Sequence, residues 1–171
     1  KSPKHIDKLL KYEFQNYPRN SMRMRFTSNH DENSWKGSAI TRMGRDAAKA
    51  GAVLTCTLPG TPLIYNGQEV GNKKSLEFFE KDPIVWEENE FRAFYQLLFK
   101  TYREQPALYK GSMKKLKSYN DKLVYAFIRE FSDNEVFVTV NFSAKSFEGN
   151  IQFEGKGGSY IEIFSNEEKH F

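Results

Sequence analysis

Hydrophobic periodicity changes character once along this chain, at Pro106, and that change limits the architectures open to it. Upstream, helical stripes alternate with short apolar runs. Residues 3–16 predict an amphipathic helix: Ser2 can cap it, Pro3 suits its first turn, and Ile6, Leu9, Leu10 and Phe14 share a face. Pro18 and Asn20 end it. A strand is expected at about 22–28 and a second helix at 41–56, where Ala47, Ala48, Ala50, Gly51 and Ala52 allow close approach to a sheet. Leu58-Pro59-Gly60 stops that helix. Pro62-Leu63-Ile64-Tyr65 then forms a short unbroken apolar run, as expected of a strand covered on both faces. A third helix is predicted at 88–104, with Phe91, Phe94, Tyr95, Leu98 and Tyr102 on one stripe. Helix, strand, helix, strand, helix argues for parallel strands with helical crossovers.

Beyond Pro106, runs rich in Val, Ile, Phe and Tyr at about 112–117, 122–130, 135–142, 147–153 and 159–164 are separated by Asn120-Asp121, Asp133-Asn134, Gly149-Asn150 and Gly157-Gly158. That pattern predicts an antiparallel sandwich. The expected organisation is therefore an α/β segment over 1–108 and an all-β segment over 109–171, with the boundary near Leu108–Gly111.

Composition narrows the function classes. The net charge of +4 is a mild excess, and the loose cluster Lys110, Lys114, Lys115, Lys117 and Lys122 reads as the solvated face of a strand, not as a nucleic-acid surface. The single cysteine, Cys56, lies among apolar neighbours with no nearby histidine, so a buried structural thiol is expected. His5, His30 and His170 lack metal-ligand spacing. No run approaches the roughly 20 apolar residues of a membrane span. The chain begins at Lys1 without a methionine and without a visible signal peptide, and it reads as part of a longer protein.

Two strands run straight into polar residues. The first ends in Ser28-Asn29-His30-Asp31-Glu32-Asn33, the second in Asn66-Gly67-Gln68-Glu69. Side-chain chemistry concentrated at the carboxyl ends of parallel strands marks the active-site face of an α/β barrel. Neighbouring strands lie about 4.8 Å apart, and a retaining glycosidase holds its two carboxylates about 5–5.5 Å apart. On chemistry alone, Asp31 and Glu69 are candidates for nucleophile and acid/base.

The motifs also resemble those of the alpha-amylase superfamily of glycoside hydrolases. Phe26-Thr27-Ser28-Asn29-His30-Asp31 is similar to the family's motif at the end of the seventh barrel strand, and Gly60 to Gly71 to its eighth-strand signature. Phe94-Tyr95-Gln96-Leu97-Leu98 with Arg103, Pro106-Ala107-Leu108 and Gly111 resembles the last barrel helix entering the C-terminal domain. Val124–Arg129 and Val138–Ser143 resemble paired strands of that domain.

The resemblance implies the last two strand–helix units of a (β/α)8 barrel followed by a C-terminal β-sandwich, cut short at its end. It moves the nucleophilic Asp and the acid/base Glu to earlier strands, upstream of Lys1. His30 and Asp31 become the pair that grips the glucosyl unit being cleaved, with Asp31 stabilising the transition state. Asn29 supports that pair, and Glu69 is structural. Trp35 either stacks on a sugar ring at the rim or packs beneath the loop. Tyr65 is expected in the core.

The implied parent cleaves or transfers alpha-glucosidic bonds of starch-like substrates with retention, taking alpha-glucan or malto-oligosaccharide, and the chain by itself is inactive. The alternative is a related barrel kept as a binding or scaffold subunit. No cofactor is assigned to these residues; calcium is left open for the parent. The choice between alpha-1,4 and alpha-1,6 bonds, and the compartment, depend on residues upstream. An excess of 18 Lys over 8 Arg points towards a bacterium. With barrel neighbours missing, open strand edges are expected to drive self-association.

Overall fold

The computed structural model describes residues 3–19, 21–146 and 148–171. Its elements in order are α1 (Lys4–Asn16), β1 (Met24–Arg25), α2 (His30–Lys36), α3 (Ala39–Met43), α4 (Arg45–Thr57) and β2 (Thr61–Pro62). A 3-10 turn at Gln68–Val70 leads towards α5 (Glu90–Glu104) and α6 (Pro106–Lys110). Five strands follow: β3 (Ser112–Leu116), β4 (Val124–Phe131), β5 (Asn134–Asn141), β6 (Ser159–Ile161) and β7 (Glu168–His170). By contacts the chain divides into two compact units, Met24–Glu104 and Lys1–Arg23 with Gln105–Phe171.

In the first unit β1 and β2 pair in parallel, with Met24 opposite Thr61 and Arg25 opposite Pro62. The Leu63 N–H continues the ladder to the Arg25 carbonyl at 2.8 Å. Regular pairing is shorter than the expected strands at 22–28 and 62–65. Between the strands, the helix expected at 41–56 is two helices. Gly44 separates α3 from α4 at φ +83°, a conformation glycine adopts freely, and its N–H closes α3 on the Ile40 carbonyl at 2.8 Å.

Small residues on α4 allow the close approach read from them. A Cβ added at Gly51 would stand 2.8 Å from Thr27 Cγ2. Ala52 and Cys56 of α4 bury against Phe91, Tyr95 and Leu98 of α5, and Val53, Ile64, Phe94 and Tyr102 pack around them. The α5 stripe is thus the stripe read from sequence, and Cys56 is the expected buried thiol. Burial pushes its ionisation up to about 12, so it is an unreactive neutral thiol at ordinary pH. Tyr65 is half-buried.

In the second unit β3, β4 and β5 form an antiparallel sheet in that order. From Val124 to Arg129 every residue of β4 is buried. The buried Arg129 guanidinium donates to the carbonyls of Ser112 at 3.1 Å and Gly111 at 2.8 Å. β6 and β7 form a second antiparallel pair. Phe137 from the first sheet and Tyr160 from the second meet Phe153 and Phe171 in one aromatic cluster, with Phe153 stacked on Phe171 at 4.8 Å.

The run expected as a strand at 147–153 makes only a single bridge, Ser118 to Ile151, and its Phe147 lies outside the described residues. β7 was not predicted. Glu168-Lys169-His170 is fully polar and exposed, so it carries no alternation to read.

The contact-defined units depart from a division at 108/109. α1 groups with the strands and not with the α/β segment. Its Asp7 accepts a hydrogen bond from the Tyr125 hydroxyl at 2.8 Å and pairs with Lys115. On the expected apolar face of α1, Ile6 and Leu10 are half-buried but Leu9 is exposed and Phe14 is 87% exposed. Helix α1 ends at Tyr17, whose backbone is extended as the residue before Pro18 prefers. The proposed cap Ser2 and the proposed breaker Asn20 lie outside the described residues.

Candidate functional site at the strand ends

The ends of β1 and β2 are tied by one side chain. Gln68 Nε2 donates to Thr27 Oγ1 at 2.7 Å, and Gln68 Oε1 accepts from the Tyr65 N–H at 2.8 Å. Thr27 closes the β1 side and Tyr65 the β2 side, so the amide fixes both exits together. After Thr27 the chain passes a buried Ser28 and enters α2.

His30 and Asp31, expected at the end of the strand, form the first turn of a helix. Asn29 is its cap. The backbone there is extended, and Oδ1 accepts from the Glu32 N–H at 2.8 Å. Asp31 and Glu32 sit where the unbonded N–H groups of a helix start favour negative charge. Asn29 with Glu32 three residues on, and Gly37 directly after Lys36, are the helix start and stop signals that sequence reading missed. Asn29 thus holds the turn that carries His30 and Asp31.

Both side chains are open to solvent, His30 at 65% and Asp31 at 58%. His30 Nε2 lies 3.5 Å from Asp31 Oδ2. Trp35, four residues after Asp31, is 67% exposed and so does not pack beneath the loop. It faces Phe78 at 5.7 Å between ring centroids, and Phe78 in turn faces the His30 ring at 5.6 Å.

The same helix anchors the segment that carries Phe78. Asn33, buried, accepts from the Leu76 N–H at 2.7 Å, and Ser34 Oγ donates to the Leu76 carbonyl at 2.6 Å. Just beyond, Asp82 accepts from the Glu77 N–H at 3.0 Å and pairs with Lys74. The Lys74 ammonium and that N–H hold the Asp82 carboxyl below its ordinary range. Asn33, Leu76 and Phe78 are site-building residues that sequence reasoning did not find. Their one signal was the Phe78-Phe79 doublet in an otherwise polar stretch.

Glu69 lies apart from this cluster. It sits in the 3-10 turn after β2, and its Oε2 is buried without a hydrogen-bond partner among the described residues. It lines an open cleft of about 490 Å³ with Trp86, Arg92, Gln96 and Arg103, and neither His30, Asp31 nor Trp35 reaches that cleft. The structure thus joins Asn29, His30, Asp31 and Trp35 with Phe78 and leaves Glu69 elsewhere. Among the described residues no group of three His, Cys, Asp or Glu side chains is arranged to hold a metal ion.

The sequence profile of the alpha amylase catalytic domain matches residues 2–141. The chain belongs to the alpha-amylase catalytic-domain family. Alpha-amylase 2 of Dictyoglomus thermophilum is 27% identical over 177 residues, covering 96% of this chain and 29% of that protein. Neopullulanase 2 of Thermoactinomyces vulgaris is 28% identical, covering 77% of this chain and 24% of that protein. This alpha-amylase-family chain therefore spans under a third of the length of these relatives.

Among solved structures, the maltogenic alpha-amylase AmyB of Thermotoga neapolitana superposes with a TM-score of 0.84 at 21% identity, over 98% of this chain and 40% of that one. An alpha-amylase from Lactobacillus plantarum gives 0.75 at 18% identity, over 99% and 39%. These likenesses fix the fold: mixed helix and sheet, with a parallel pair followed by antiparallel sheets.

Proposed function

We propose that this chain supplies the last two strand–helix units of a (β/α)8 barrel and a C-terminal β domain to a retaining glycoside hydrolase that acts on alpha-glucosidic bonds of starch-like oligo- or polysaccharides. The observation that carries the reading is the placing of an imidazole and a carboxylate, both solvent-open, on the first turn of the helix leaving β1, in a chain of the alpha-amylase family. Asp31 accepts hydrogen bonds from vicinal hydroxyls of the glucosyl unit at the cleaved bond, and a His30 N–H donates to a neighbouring hydroxyl. These contacts tighten as the ring flattens towards an oxocarbenium ion, so Asp31 stabilises the transition state more than the bound sugar. Trp35 offers an apolar face to a sugar ring at the rim.

The nucleophile and the acid/base belong to parts of the complete enzyme outside these residues, which leaves the chain alone inactive. In the complete enzyme Asp31→Asn keeps the shape and removes the charge and one acceptor. The expected outcome is a fall in kcat of about 10²–10³-fold, the size of one lost preorganised transition-state contact. A kcat within about threefold of the original with a raised KM reduces Asp31 to uniform binding and overturns the role.

A further inference from the structure

We infer that Phe78 is a positioning residue of this sugar site: it sets the orientation of the His30 imidazole and, with Trp35, makes the apolar wall beside the His30–Asp31 pair. The inference rests on the carbohydrate reading above, but its observations are separate from the motif. Phe78 stands between two rings on α2, at 5.6 Å and a 43° tilt from His30 and at 5.7 Å and 30° from Trp35. Tilted aromatic pairs at this separation attract beyond simple area burial.

The placement is built, not incidental. Leu76 is clamped through both its N–H and its carbonyl by Asn33 and Ser34, the residues three and four after His30 and so on its side of the helix. The Glu77 N–H is held by Asp82. The backbone leading to Phe78 is thus fixed to the same helix that carries the ring it touches. Leu76 is buried while Phe78 and its neighbour Phe79 stay exposed, so the segment is anchored by the leucine and presents the aromatic rings outwards.

A hexopyranose has hydroxyl edges and C–H faces. His30 and Asp31 are equipped for the edge, and the Phe78 and Trp35 rings for the face. A ring at residue 78 therefore both restrains the imidazole and selects for a sugar over a merely hydroxylated ligand.

Two measurements test this. The chain has three histidines, His5, His30 and His170, whose imidazole protons can be followed by NMR. Phe78→Leu removes the ring current on His30 and is expected to move its imidazole resonances while leaving those of His5 and His170 in place; Phe78→Tyr keeps the ring and keeps the resonances. In the complete enzyme, kcat/KM for an aryl maltoside is expected to fall about two- to tenfold in Phe78→Leu, the equivalent of one lost aromatic contact, and to recover in Phe78→Tyr. Should Phe78→Leu not fold, Phe78→Met removes the ring at similar volume. Unmoved His30 resonances, or unchanged kcat/KM in a folded ringless variant, overturn the inference. Asp31→Asn separates the two readings: if it lowers kcat as expected while ringless variants match the parent, only the role of Phe78 fails. If Asp31→Asn has no effect, the carbohydrate reading itself fails.

Discussion

Glu69 carries a carboxylate oxygen that is buried and unbonded among the described residues, a state that native proteins seldom tolerate without a partner. In the chain by itself, Glu69→Gln exchanges one unbonded buried atom for another, and the melting temperature is expected to change little. If the complete enzyme supplies a donor to Oε2 from outside these residues, the same substitution there is expected to cost about 1–3 kcal/mol of stability. The pH–rate profile is expected to keep both limbs. Loss of one limb of kcat/KM, with azide restoring the rate, makes Glu69 the acid/base after all. His30 and Asp31 could be singled out from sequence, through the family motif they resemble. Phe78 could not, because its meaning comes from the two rings it touches.

At the scale of elements, the fit of α4 against the end of β1 turns on Gly51. Alanine there gains up to about 1 kcal/mol of helix propensity. It also sets a methyl 2.8 Å from Thr27 Cγ2, and overpacking of that kind costs about 1–3 kcal/mol. Thr27 has no free rotation to escape with, because its Oγ1 is held by Gln68. Gly51→Ala is therefore expected to be net destabilising by about 1 kcal/mol in urea unfolding, and a stabilised variant contradicts the close approach. Helix ends were readable where proline acts on the residue before it. Both Tyr17 before Pro18 and Leu58 before Pro59 are extended and end their helices. The start of α2 was readable in principle, from Asn29 and Glu32, the cap and the residue three after it.

At the scale of the whole molecule, β1 and β2 form a sheet of only two strands, and each leaves its outer edge unpaired among the described residues. Met24 and Phe26 are exposed beside it. Open edges next to apolar side chains favour association. The 171-residue chain is expected to elute as a dimer or larger species, measured by light scattering after size exclusion, and to show no hydrolysis of an aryl maltoside. A monodisperse monomer at micromolar concentration contradicts the edge argument. Measurable turnover contradicts the placing of the catalytic pair outside these residues.

Sequence by itself determined what depends on near neighbours: the amphipathic stripe of α5, the buried run of β4, the proline-bounded helix ends, and the two strands that run into polar residues. Each follows from backbone stereochemistry or from periodicity within a few residues. Tertiary structure alone decided the pairings across distance. Leu76 meets Ser34 and Asn33 from 42 and 43 residues away, and Asp7 meets Lys115 and Tyr125 from 108 and 118. The first pairing brings Phe78 to His30, and the second assigns α1 to the strands. Nothing in the local pattern of Phe78-Phe79 or of α1 names a partner, because a side chain advertises its chemistry in the sequence while its neighbours are chosen only when the chain closes on itself.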